Sequence, residues 1–212
     1  MSKLKWLIGF GVTAMMFSSC LVEQTYYFKK DLSGTYNFKV DITAMEEFDQ
    51  SDSIPADSAF TAEDIKAFKD YYSAQEGISN VDAAYTDGVI NASFDFVSPE
   101  LLNKANAPSE ELDEGEPEKF SVFVCTPVKN GMLIEVNRDF MNEEGTETTQ
   151  EDIDAMEGML TLNGYFRFES EIKAIKSEVG AWDQASNTVT INVKFSDVYN
   201  KDMDMKTLVT FR

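Results

Sequence analysis

The chain has 212 residues, with 18 lysines and arginines against 38 aspartates and glutamates, and its formal net charge at pH 7 is −20. A charge this negative excludes the usual basic surface for nucleic acid, because phosphates would be repelled. Hydrophobic residues at 43% and aromatic residues at 12% exclude wholesale disorder and favour a folded globule.

The first twenty residues have the pattern of a secretory signal peptide. Lys3 and Lys5 form a short cationic start, and residues 6–17 are almost entirely apolar. An apolar run of this length is too short to span a bilayer as a permanent helix. We therefore expect residues 1–19 to be a signal peptide that is removed.

Ser18, Ser19 and Cys20 end the apolar run, and they resemble the lipobox of bacterial lipoproteins. In that family the cysteine thiol receives a diacylglyceryl group, the chain is cut just before the cysteine, and the new amino terminus is acylated. Ser19 is the small residue that the family's peptidase needs, whereas Phe17 replaces the preferred leucine. The resemblance implies that Cys20 is the lipidated mature N-terminus. The alternative is a plain secretory peptide cut elsewhere.

The same resemblance implies a place in the cell envelope. Leu21, rather than aspartate, follows the cysteine, which favours the outer membrane over the inner membrane. Surface lipoproteins of Bacteroidota carry an acidic export tag at this position, but here only Glu23 is present. We therefore expect a lipid anchor in the outer membrane with the domain facing the periplasm.

Residues 20–32 are predicted to be a lipidated N-terminus and tether, and residues 33–212 to be a single α+β domain. Tyr26, Tyr27 and Phe28 precede two lysines and could rest at the lipid–water interface. The alternative is that these residues begin the first strand of the fold.

From Ser33 the pattern becomes that of a half-buried strand. Polar residues at 35, 37, 39 and 41 alternate with Tyr36, Phe38, Val40 and Ile42. Thr61 then opens a helix, with Asp64 three residues on as a capping partner. The helix is predicted to end at Gly77.

Two hairpins are predicted next. Asp87-Gly88 joins strands 81–86 and 89–97, and Asn130-Gly131 joins strands 120–129 and 132–140. The stretch 98–118 between them contains three prolines and many acids, and it is predicted to be a surface segment.

A second helix is predicted at residues 149–160, followed by strands 165–176, 188–195 and 206–212. The strand at 188–195 alternates strictly. We expect residues 189, 191, 193 and 195 to face the core and residues 190, 192 and 194 to face water.

Residues 61–68 and 149–156 match at five of eight positions, which suggests either a duplicated β-α-β-β unit or two similar helix starts. Together these elements predict an α+β fold. We expect a mostly antiparallel, curved sheet with two helices packed on one face.

The residues offer little catalytic chemistry. The chain has no histidine, which excludes the usual zinc sites and the serine or cysteine hydrolase triads. If Cys20 is acylated, Cys125 has no disulfide partner and is predicted to be a buried apolar residue.

Acidic clusters at 49–53 and at Asp202 and Asp204 are candidate calcium ligands, but neither has EF-hand spacing. Residues 202–205 are predicted to form an edge strand with Met203 and Met205 buried. We predict no catalytic, cofactor or metal residues.

These observations favour a membrane-anchored envelope lipoprotein with a non-enzymatic binding or assembly role. Its expected partners are the membrane, through Cys20, and an envelope protein or an apolar ligand. The first alternative is a carrier or chaperone for an apolar ligand such as lipid, held in a curved sheet. The second is a carboxylate-dependent hydrolase.

Overall fold

The computed structural model describes residues 20–41, 61–107, 122–138 and 160–212, and these residues form eleven strands and three helices. The helices are α1 (Ala62–Ser73), α2 (Pro99–Asn106) and α3 (Phe195–Tyr199). The strands are β1 (Cys20–Phe28), β2 (Gly34–Asp41), β3 (Ile78–Thr86), β4 (Val89–Phe96), β5 (Phe123–Val128), β6 (Gly131–Val136), β7 (Leu160–Phe168), β8 (Ile172–Ser177), β9 (Gly180–Asp183), β10 (Thr188–Lys194) and β11 (Lys206–Phe211). The predicted α+β class with mostly antiparallel strands is confirmed.

The strands form two sheets rather than the single predicted sheet. One has seven strands in the order β3-β4-β2-β1-β7-β10-β9, and the other has four in the order β5-β6-β11-β8. Strands β1 and β7 are parallel, and the other pairs in both sheets are antiparallel. The seven-stranded sheet is therefore mixed, and its parallel pair lies near its centre.

The predicted strand at 165–176 is two strands, because the chain crosses from one sheet to the other between β7 and β8. The Asn187 side chain supports this crossing. Its amide nitrogen donates to the carbonyl oxygens of Phe168 (2.6 Å) and Ser170 (2.9 Å), and its oxygen accepts from the Ile172 amide (3.1 Å). These bonds satisfy backbone groups that leave the sheet ladder at the crossing.

The predicted tether at residues 20–32 is wrong for residues 20–28, which form the central strand β1. Its hydrogen-bonded neighbours are β2 on one side and β7 on the other. Tyr26 and Phe28 are 1% and 0% exposed, so they lie in the core and not at a lipid interface. The alternative interpretation, that this segment begins the fold, is confirmed.

The core lies between the buried face of the seven-stranded sheet, the four-stranded sheet and two helices. Phe166 stacks on Tyr26 with ring centroids 4.7 Å apart, and Phe123 of the second sheet meets Phe166 edge-on at 5.3 Å. Tyr72 of α1 stacks on Phe94 of β4 at 4.8 Å. Aromatic rings therefore fill the space where the layers meet.

The first predicted hairpin is confirmed, and the second is shifted by one residue. Asp87 and Gly88 have φ values of 49° and 75°, as the tight two-residue turn between β3 and β4 requires. In the second hairpin Lys129 and Asn130 form the turn, and Gly131 already lies in β6. A Cβ atom on Gly131 would lie 2.1 Å from the carbonyl oxygen of Val209, so the close approach of β11 requires glycine there.

Helix α1 begins as predicted, after Thr61. The Asp64 carboxylate accepts from the Thr61 amide (2.8 Å), and the Thr61 hydroxyl accepts from the Asp64 amide (3.2 Å). This reciprocal capping satisfies two amides that have no partner within the helix. Tyr72, near the end of the helix, is buried.

Helix α2 was missed, because the segment that contains it was predicted to be a surface loop. Ser98 caps the helix, and Pro99 is its first residue. Proline has no amide hydrogen, but an amide at this position would have no partner within the helix. Asn103 pairs with the backbone of edge strand β5, since its side chain donates to the Cys125 carbonyl (2.7 Å) and accepts from the Cys125 amide (3.1 Å). The short elements β9 and α3 were also not predicted.

Several predictions fall outside the described residues. These are the helix at 149–160 except for Leu160, which begins β7, the acidic cluster at 49–53, and the inward position of Ile42. The second copy of the proposed repeat is therefore not described. The strands that follow the two segments differ, since β3 pairs with β4 whereas β7 and β8 lie in different sheets.

Candidate functional site

The seven-stranded sheet has one face in the core and one polar face turned outward. Strand pairing places Glu23 of β1 beside Lys39 of β2, and Thr25 between Asn37 of β2 and Tyr165 of β7. The side chains between these positions point the other way, since successive residues of a strand alternate in direction. Residues from separate strands thus meet on one polar surface.

A groove with a cavity volume of about 290 Å³ lies on this outer face. Its polar lining includes Glu23, Asn37, Lys39, Asp82, Asn91, Ser93 and Tyr165. Amide and hydroxyl groups both donate and accept hydrogen bonds, so the lining suits a ligand with polar groups. We name this feature the outer groove.

The two acids of the outer groove each have a lysine partner. Glu23 lies 3.3 Å from the Lys39 ammonium, and Asp82 lies 2.8 Å from the Lys69 ammonium. The hydrogen bond and the positive charge of Lys69 lower the pKa of Asp82. The Tyr165 hydroxyl donates to Glu23 at 3.5 Å, and burial, followed by the charge of Glu23, raises the pKa of Tyr165.

Each acid of the outer groove thus lies beside a positive charge, and the other polar groups of its lining are amides and hydroxyls apart from Lys39. The outer groove is therefore a surface of hydrogen-bonding groups with paired charges.

Cys20, the predicted lipidation residue, is the first residue of β1, and it pairs with Leu160 at the start of β7. Residues 1–19 lie outside the described part of the chain. The described part of the chain thus begins at the cysteine of the lipobox-like segment. The helices of the described ranges are all too short or too polar to span a bilayer.

Cys125 lies in β5 and is 0% exposed. Burial away from water raises the pKa of its thiol, because the thiolate would lose its hydration. A thiol is nucleophilic only as thiolate, so Cys125 has the character of a core residue.

We expect Cys125 to resist alkylation by iodoacetamide in the native protein at pH 7 and to react once the chain is unfolded in urea. Intact mass before and after unfolding measures the labelling. Rapid labelling of the native protein would instead show an exposed, activated thiol. The Cys125→Val variant should keep the native fold, because valine is a small apolar residue of similar size.

The acidic candidates at Asp202 and Asp204 lie in the turn between α3 and β11, not in an edge strand. Their amides bond to Asn200 and Glu178, and the Asp204 carboxylate accepts from the Lys206 amide at 3.1 Å. The strand that follows, β11, is internal to the second sheet. Within the described ranges, no group of three or more acids and cysteines has the spacing of a metal site.

Gln24 is a buried polar residue that the sequence did not single out. It is 0% exposed in β1, and its oxygen accepts from the Tyr26 hydroxyl at 2.7 Å, while its amide nitrogen has no hydrogen-bond partner.

The outer groove was not predicted from the sequence either. The alternation of β2 predicts that Asn37 and Lys39 are outward, but no local signal places residues of β1, β4 and β7 beside them.

No family model and no curated protein match the chain. Among solved structures, the NMR structure of the folded domain of LppM from Mycobacterium tuberculosis is similar to it. That similarity has a TM-score of 0.42 and 10% sequence identity, and it covers 92% of this chain and 91% of that chain. A likeness at this level assigns neither a fold family nor a function to the chain.

Proposed function

We propose that the protein is a lipid-anchored lipoprotein of the bacterial cell envelope with a non-enzymatic binding role. The observation that carries this proposal is the Ser18-Ser19-Cys20 sequence at the end of the apolar run, which resembles a lipobox. A lipoprotein cut before this cysteine would keep the whole described fold. Leu21 after the cysteine favours the outer membrane, with the domain facing the periplasm.

The outer groove is the proposed binding surface, and its ligand is a polar molecule or the polar surface of an envelope protein. The groove is lined by amides, hydroxyls and paired charges, which recognise polar groups. We also infer that the seven-stranded sheet is concave on this face, since a concave surface accounts for a groove there. The carrier alternative needs an apolar cavity, whereas stacked aromatic rings fill the described core.

The lipid anchor is tested by intact-mass analysis and detergent phase partition of the protein purified from bacterial membranes. We expect loss of residues 1–19 together with added acyl mass, because several acyl chains hold a protein firmly in a bilayer. The Cys20→Ala variant should leave the membrane fraction. The matched control is Cys125→Ala, which removes the other cysteine and should stay in the membrane. A water-soluble wild-type product of unmodified mass would contradict the proposal.

The choice between a polar and an apolar ligand is tested with the neutral dye N-phenyl-1-naphthylamine, whose emission rises in an apolar cavity. We expect no saturable binding to the soluble Cys20→Ala form, since eight of the eleven residues that line the outer groove are polar. Saturable binding at about one dye per protein would favour the carrier of an apolar ligand instead.

A further inference from the structure

The seven-stranded sheet has one end at which its first strand begins. Cys20 pairs with Leu160 at the start of β7, and Leu21 pairs with Asp41 at the end of β2. Asp41 also pairs with Val89, the first residue of β4. We name the end that these five residues form the Cys20 end, and the opposite end of the same sheet the far end.

Strand β1 cannot serve as a flexible link between a lipid and the fold. Its side chains at Val22, Gln24, Tyr26 and Phe28 are all buried, with at most 8% of their surface exposed. Its backbone pairs with β2 and β7 along its length. Detaching the strand would expose core side chains and break two ladders of hydrogen bonds. A lipid on Cys20 would therefore be joined directly to a rigid central strand.

The outer face of the sheet carries apolar as well as polar residues at the Cys20 end. Leu21 and Val89 lie on either side of Asp41 in one row of paired residues, and both are half-buried. The next outward residues along the same two strands are Glu23 and Asn91, which are polar. The row nearest to Cys20 is thus of mixed polarity, with Asp41 between two apolar residues and Thr86 beside Val89.

We propose that the Cys20 end lies against the membrane surface and that the strands of the seven-stranded sheet stand away from it. This proposal rests on the proposed lipid anchor at Cys20. Strand β1 rises roughly 3.3 Å per residue, which places the far end on the order of 27 Å from the lipid. The face that carries the outer groove then stands upright on the membrane. A periplasmic partner reaches the groove from the side, without reorientation of the domain.

A single-tryptophan quenching experiment tests this orientation. Removal of residues 1–19 takes away Trp6 and leaves Trp182 as the one tryptophan of the mature chain. In a Trp182→Phe background, tryptophan is placed by Val89→Trp at the Cys20 end or by Val97→Trp at the far end. The two sites carry the same substitution at the first residue of β4 and at the residue directly after its end, roughly 26 Å apart. Each lipidated variant is reconstituted into phosphatidylcholine vesicles with or without bromine on the acyl chains near the head groups.

The expected result is loss of emission in brominated vesicles for Val89→Trp and unchanged emission for Val97→Trp. Val97 is 57% exposed, so an inverted domain would quench Val97→Trp alone and overturn the proposal. Equal quenching of both sites would also overturn it, because it would mean a mobile or flat-lying domain. If Val89→Trp fails to fold, Thr86→Trp replaces it, since Thr86 is exposed at the same end.

The anchor is checked separately, by intact mass and by flotation of each variant with the vesicles before fluorescence is measured. Acylated protein that floats but fails the quenching pattern refutes the orientation while the lipid anchor stands. Protein that carries no acyl mass and does not float refutes both proposals. The Cys20→Ala forms of both variants give the baseline, and neither should be quenched.

Discussion

The Phe166→Ala variant should lower the free energy of unfolding by about 3–5 kcal/mol, the largest effect expected for a single core substitution here. Phe166 is 0% exposed and contacts the rings of Tyr26 and Phe123 at 4.7 Å and 5.3 Å. Removing its ring leaves a cavity where the two sheets meet. Urea unfolding of the soluble Cys20→Ala form, followed by Trp182 fluorescence, measures the change.

The matched control is Tyr165→Ala, which truncates the neighbouring aromatic residue on the outer face of the same strand. Tyr165 is half-buried, and its described hydrogen bond to Glu23 is long, at 3.5 Å. Its truncation should cost roughly 1 kcal/mol or less. If the two variants lost equal stability, the assignment of inner and outer faces along β7 would be wrong.

The Ile191→Ala variant should cost about 2–5 kcal/mol, again because a buried side chain leaves a cavity. Ile191 is 0% exposed in β10, as are Val189 and Val193 on the same face. The adjacent Thr190 is half-exposed, so Thr190→Ala should change stability by less than about 1 kcal/mol. Equal losses in urea unfolding would contradict the inward position of Ile191.

Local signals predicted much of the local structure. The alternation in β10 placed Val189, Ile191 and Val193 in the core and Asn192 and Lys194 in water, as observed. The inward position of Phe195 lies outside the described side chains. The Asp87-Gly88 turn and the cap at Thr61 were also predictable, because a turn or cap depends on residues only a few positions apart.

The arrangement of the elements was much less predictable. The prediction of a tether failed because Tyr26 and Phe28 suit a membrane interface and a buried strand equally well. Only pairing with β7, far along the chain, decides between them. Helix α2 was missed because three prolines and an acidic run outweighed the Ser98-Pro99 start signal. The outer groove is lined by residues from separate strands, so no continuous sequence motif predicts it.

The pairing of β1 with β7 has a consequence for the order of folding. Cys20 pairs with Leu160, a separation of 140 residues (160 − 20). The chain is synthesised from its N-terminus, so β1 is made long before the strand that completes its second edge. During that interval an apolar strand carries one unpaired edge, which is a template for association with other chains. Such long-range closure slows folding, and we therefore expect refolding yield to fall steeply as protein concentration rises.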